Sequence, residues 1–158
     1  MVEETFYKLF TFGRERLKGV GISDSARESK KILAFAINYE YSNLNTLQEF
    51  KISKELKFKF NALIEQRVSG TPISKIIGKK LFFNSEFFVN ENVLDPRPET
   101  EVLVSVALEK NFSTVLDLGT GTGCIVISLL KERSHAVGVS VDISQECLAV
   151  AKINAERN

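Results

Sequence analysis

The sequence has little that could bind a metal or cross a membrane. It holds one histidine, two cysteines and three prolines in 158 residues. With His135 as the sole imidazole and Cys124 far from Cys147, the usual four-ligand zinc site cannot be assembled, and no metal ligands are assigned. His135 falls between an apolar helix and an apolar strand and is no candidate for a general base. Both thiols sit in apolar segments, which suits core packing in a reducing cytosol. No apolar run approaches the roughly eighteen residues of a membrane helix, and the N-terminus lacks the apolar core of a signal peptide. The net charge of +1 leaves no global electrostatic footprint for nucleic acid. These absences argue for a cytoplasmic chain that contacts neither membrane nor nucleic acid directly.

What the chain does have is Val115-Leu116-Asp117-Leu118-Gly119-Thr120-Gly121-Thr122-Gly123-Cys124. Strand-forming residues from Thr114 run into three glycines at alternate positions, and Ile125 to Leu130 is apolar enough for a buried helix. A strand, a glycine loop and a helix N-terminus suit a ligand that lies close to backbone. The spacing separates ligand classes. A dinucleotide fingerprint needs Gly or Ala at its sixth position, where this chain has Cys124. A P-loop needs Gly-Lys-Ser/Thr, and no lysine is near. An acidic residue followed by Gly-x-Gly-x-Gly resembles the first motif of the Rossmann-like S-adenosylmethionine-dependent methyltransferases. The bland alternative is a tight glycine turn in some other βαβ unit.

Ala136 to Val141 then reads as a second apolar strand ending at Asp142. A carboxylate there, about twenty residues past the glycines, is placed to accept hydrogen bonds from ribose hydroxyls, since it offers only acceptors. Asp142 also reads as a helix-start residue ahead of Ser144, because both residue types cap. The two roles are compatible.

Residues 1 to about 78 read as helical. Phe6, Leu9, Phe10, Gly13 and Leu17 share one helical face. Ser25-x-x-Glu28 has capping-box spacing for a second helix that buries Ile32, Leu33, Ala36 and Ile37. A turn over Asn43 to Thr46 follows. A third helix starts near Ser53, buries Leu56, Phe60, Leu63, Ile64 and Val68, and stops at Gly70 and Pro72. Lys51, Lys54 and Lys57 recur at helical spacing, as an acidic partner's contact or as a solvated face.

Leu81 to Phe83 and Glu86 to Val89 are β-forming runs flanking Asn84-Ser85, which is hairpin chemistry. Pro98 then opens a helix with Glu99 and Glu101 in its first turn, expected to turn Leu103, Val106 and Ala107 inward. The fold expected is α+β with two domains. A helical bundle spans 1–78, a β-hairpin connector 79–95, and the first part of a Rossmann-like α/β domain 96–158.

At the connector a family resemblance becomes specific. Gly70-Thr71-Pro72-Ile73, Ile77-Gly78, Phe83, Phe88-Val89 and Val93-Leu94-Asp95-Pro96-Arg97-Pro98-Glu99-Thr100-Glu101 look like the HemK/PrmC-type peptide chain release factor glutamine methyltransferases. Members typically have isoleucine where this chain has Asp95. The likeness continues through Asp117 to Cys124 and Val141-Asp142-Ile143-Ser144, and reaches weakly into Ala26-Arg27-Glu28. It covers nearly the whole chain. The resemblance implies S-adenosyl-L-methionine as cofactor and a release factor as protein substrate and partner. The product is a methylated side-chain amide of the glutamine in the Gly-Gly-Gln motif. It implies a helical domain that helps grip the release factor; a monomer is expected. Relatives acting on a ribosomal-protein glutamine, and a binding module without chemistry, are the alternatives.

The cofactor half of the site maps onto Gly119, Thr120, Gly121, Thr122, Gly123 and Asp142. The glycines allow close approach, the threonines line the loop and Asp142 takes the ribose. Asp117 is a further candidate to face the cofactor's amino group. Arg97, Thr100 and Glu101 either close over its methionine end or simply start a helix. The family's substrate motif, Asn-Pro-Pro-Tyr, is missing, since the only prolines are Pro72, Pro96 and Pro98. In the family that motif aims a weakly nucleophilic amide at the sulfonium methyl, so catalysis there rests on positioning rather than on a strong base. No catalytic residue is therefore assigned. The chain reads as the N-terminal part of such an enzyme, with weak cofactor affinity and no methyl transfer of its own.

Overall fold

A computed structural model describes residues 5–47 and 52–158. The chain divides into two compact units, Met1–Ile77 and Gly78–Asn158. The first unit is helical: α1 (Phe6–Gly19), α2 (Ser25–Ile37), a 3-10 helix (Tyr41–Leu47), α3 (Lys54–Val68) and α4 (Ile73–Ile77). The expected face of α1 is the buried one, with Phe6, Leu9, Gly13 and Leu17 against the core. Gly13 is there for proximity. A Cβ at that position would stand 2.6 Å from the Phe60 ring and 2.5 Å from the Ser29 hydroxyl. The core closes with Ile32, Leu33, Phe60 and Ile64, none of them measurably exposed. Two ion pairs tie α3 to the other helices, Arg16–Glu65 to α1 and the half-buried Arg67–Glu28 to α2 at 2.6 Å.

That second pair explains why the expected capping box does not form. The N-cap of α2 is Asp24, Ser25 is already helical and buried, and the Glu28 carboxylate is engaged by Arg67. Ser53 does cap α3, accepting the Leu56 N–H at 3.2 Å. Lys54 and Lys57 are exposed on α3, while Lys51 lies outside the described residues.

The second unit holds β1 (Lys79–Phe82), β2 (Ser85–Phe88), α5 (Pro98–Leu108), β3 (Thr114–Leu118), α6 (Cys124–Glu132), β4 (Val137–Val141) and α7 (Gln145–Arg157). Residues 79–95, expected to connect two modules, lie inside this unit. Phe82 and Phe87 pack edge to face with ring centroids 6.0 Å apart and share a core with Val104, Val126 and Leu129.

The hairpin turn is one residue earlier than expected. Phe83 and Asn84, not Asn84-Ser85, take the left-handed turn positions, with φ of 42° and 62°, and Phe82 pairs with Ser85. Tertiary partners favour this register. Glu101 accepts the Phe83 N–H at 3.3 Å, and buried Ser85 faces the Lys131 ammonium at 2.9 Å.

Helix α5 buries Val104 and half-buries Ala107 and Leu108, while Leu103 and Val106 stay about half exposed. Apolar residues surround this helix, so its periodicity picks no face and packing against α6 does.

β3 and β4 pair in parallel, Leu116 with Val139 and Leu118 with Val141. One face, with Val115, Asp117 and Gly138, lies under α6. A Cβ on Gly138 would press on Val126 and Leu130 of that helix at 2.7 and 2.8 Å. The other face presents Leu116, Leu118, Val137, Val139 and Val141 to solvent. The architecture is α+β, with the second unit forming the start of a Rossmann-like fold.

Candidate functional site

The carboxyl ends of β3 and β4 place the glycine loop beside Asp142. The loop hangs from β4, because the N–H groups of Gly119 and Thr120 both donate to the Val141 carbonyl, at 2.8 and 3.0 Å. Gly119, Gly121 and Gly123 all have positive φ, at 74°, 54° and 77°, which L side chains seldom adopt. Their surroundings differ. A Cβ at Gly119 or Gly121 would meet nothing within 4 Å, whereas at Gly123 it would strike Ile127 at 2.8 Å and Ala151 at 3.3 Å. Gly123 seats the loop on the protein. Gly119 and Gly121 leave backbone open to a ligand.

Asp142 joins the strand end to the loop. One carboxylate oxygen accepts the Gly121 N–H at 2.9 Å and the other the Ser144 N–H at 3.0 Å. A carboxylate has about four lone-pair positions, so acceptor capacity remains for hydroxyls. These donors, Ser144 first and then Gly121, hold the Asp142 carboxyl below its ordinary range. The folded-state pKa is depressed, so the tie is fully formed above the unfolded pKa of about 3.9 and is lost as pH falls through the folded value. Acid titration is therefore expected to shift the Gly121 and Ser144 amide resonances together, with a midpoint below that of an ordinary aspartate. A midpoint at or above about 4 would contradict the tie. Ser144 also caps α7, accepting the Cys147 N–H at 3.1 Å, so the capping and carboxylate roles coexist.

Both loop threonines point inward. Thr120, 6% exposed, donates to Asp117 Oδ2 at 2.7 Å, and Thr122 is 2% exposed. Asp117 is itself buried beneath the loop, with no hydrogen bond at its other oxygen among the described residues. Arg97 is the exposed N-cap residue of α5, with Pro98 at the first helical position, and Glu101 is held by the hairpin turn.

Cys124 opens α6. Burial pushes its thiol up, the nearby Thr122 hydroxyl works against that, and the Asp117 carboxylate adds to it. A thiol so held is a poor nucleophile. Iodoacetamide is expected to modify half-buried Cys147 well before Cys124, read by peptide mass. Faster labelling at Cys124 would overturn this.

Sequence reasoning missed Asn154, the buried residue of α7 that bonds to the Thr122 carbonyl. The available signal was its spacing from Val150 and Ala151, which puts an asparagine on the apolar face of a helix. Among the described residues no His/Cys/Asp/Glu cluster could hold a metal, and no helix is long and apolar enough to cross a membrane.

Known proteins resemble this chain in sequence. Residues 8–78 match the family model described as the PrmC N-terminal domain, and residues 88–158 the methyltransferase small domain. The chain is 42% identical to the release factor glutamine methyltransferase of Cereibacter sphaeroides, with 89% of this chain and 50% of that protein aligned. It is 38% identical to the protein of that name from Caulobacter vibrioides (96% and 54% covered) and 35% to that of Bacillus subtilis (98% and 56%). The chain spans about half the length of the curated relatives it matches. In both halves of its sequence, the chain is similar to the PrmC-type release factor glutamine methyltransferases.

Proposed function

We propose that this chain carries the cofactor-binding side of an S-adenosylmethionine-dependent methyltransferase. Its target is the side-chain amide of the glutamine in a release factor's Gly-Gly-Gln motif, and it works in the cytoplasm as a monomer. The observation that carries the reading is the open backbone at Gly119 and Gly121 beside the partly occupied Asp142 carboxylate. When bound, S-adenosylmethionine supplies a methyl group made electrophilic by its sulfonium. Gly119 and Gly121, with open space where a Cβ would stand, would let the cofactor lie close to the main chain. Asp142 accepts from vicinal hydroxyls while its bonds to Gly121 and Ser144 keep it ionised and oriented. Asp117, braced by Thr120, offers its second oxygen as an acceptor. Thr120, Thr122 and Gly123 act through backbone and packing, since their side-chain positions face inward.

The helical unit is proposed to contact the release factor, a reading supported by the match of residues 8–78 to the PrmC N-terminal domain. Tyr7, Phe12 and Phe58 are exposed there, and aromatic side chains of this kind anchor protein interfaces.

Ligand-observed saturation-transfer NMR tests the cofactor class and registers even weak binding. S-adenosylmethionine and S-adenosylhomocysteine are expected to compete for one site, with a nicotinamide dinucleotide giving no signal. Gly121→Val, which puts a branched side chain into the open space, is expected to abolish the signal. Equal signals from wild type and Gly121→Val would rule the loop out.

A further inference from the structure

The hydrogen bonds of α7 assign Asn154 a role that the motifs do not reveal. Its side chain is fully buried, and all its strong hydrogen-bonding positions but one are filled. Oδ1 accepts the Phe88 N–H at 2.7 Å, while Nδ2 donates to the Phe88 carbonyl at 3.0 Å and to the Thr122 carbonyl at 2.9 Å. Phe88 N–H and C=O point away from β1, so the carboxamide pairs with the outer edge of β2 as a neighbouring strand's peptide would. Asn158, one turn along α7, reaches the Glu86 carbonyl on the same edge at 3.3 Å.

The third bond matters for the loop. The Thr122 carbonyl and the Gly123 N–H belong to one planar peptide unit. Asn154 holds the carbonyl end of that plane, and the Thr120 carbonyl holds the N–H end at 2.8 Å. Ala151, three residues before Asn154 on α7, packs where a Gly123 Cβ would stand. One face of α7 thus fixes the last peptide of the glycine loop in position and angle.

We infer that Asn154 is a positioning residue for the glycine loop, coupling its conformation to the outer edge of the hairpin. This rests on the reading of that loop as the cofactor site, but its test uses the ligand-free chain and so fails separately. No group of Asn154 faces the open backbone at Gly119 and Gly121, so its action is through Thr122.

Amide hydrogen exchange on the whole chain provides the test. In Asn154→Leu, similar in shape but without hydrogen bonds, exchange at Gly121 and Gly123 is expected to rise about tenfold over wild type. The α6 amides from Val126 to Leu129 are expected to stay within about twofold, as local rather than global opening requires. A merely structural role would raise loop and α6 exchange together, and that result would overturn the inference. Should the variant not fold, wild type decides. There the Asn154 carboxamide protons and the Gly123 amide are expected to exchange through one shared opening, with equal sensitivity to denaturant. Independent openings would overturn the inference as well.

Discussion

Phe60→Ala is expected to remove most of the stability of the helical unit. The ring is wholly buried among α1, α2 and α3, and presses against the α1 backbone where Gly13 leaves room. Truncating such a ring costs about 3–5 kcal/mol, from lost burial and from the cavity that remains. A small domain has roughly 5–15 kcal/mol in total, and one of this size lies at the low end. The half-buried Arg67–Glu28 pair ties α3 to α2 and so resists collapse into the space. Denaturant unfolding followed at α1–α3 amides checks this. A loss below about 1 kcal/mol would show that the core repacks and that Phe60 is not its centre.

Amide exchange along the whole chain is expected to differ sharply between the two units. The helical unit buries its apolar side chains through contacts among helices close in sequence, which favours autonomous folding. In the second unit, β3 and β4 form a two-stranded parallel sheet, a form stable when both faces are covered and its edges are paired. Only the α6 face is covered. Leu118 remains 72% exposed, Val137 66% and Leu116 60%, so much of the apolar area that could stabilise the sheet gives nothing. Amides of Leu33, Phe60 and Ile64 are expected to be protected at least about a hundredfold more than those of Leu116, Val139 and Val141. Comparable protection in both sets would mean that the half-covered sheet is stable as it stands.

The sequence disclosed those features whose chemistry is local. Alternate glycines after an apolar strand announced the loop, because few other residues tolerate φ near +54° to +77° at three successive alternate positions. Asp142 was legible for the same reason, standing where a strand gives way to a capped helix. The α1 face was legible from the spacing of Phe6, Leu9, Gly13 and Leu17. Features set by long-range partners were not. The hairpin register depends on Glu101 and Lys131, the buried face of α5 on α6, and the fate of Glu28 on Arg67. Asn154 shows this most clearly. In sequence only its spacing from Val150 and Ala151 sets it apart, and only the folded chain brings Phe88 and Thr122 to its carboxamide. The loop's division of labour was equally hidden, since packing separates Gly123 from the open glycines.

On the proposed reading, a sulfonium-bearing nucleoside would occupy the loop between β3 and α6 and meet Asp142. Titrating isotope-labelled chain with S-adenosylmethionine up to millimolar concentration, and following every backbone amide, tests it most directly. Saturable shifts are expected at Gly119, Gly121 and Gly123 and over Asp142 to Ser144, with no shifts in α1–α3 and none at the loop with a nicotinamide dinucleotide. Unmoved loop amides, or shifts centred in the helical unit, would contradict it.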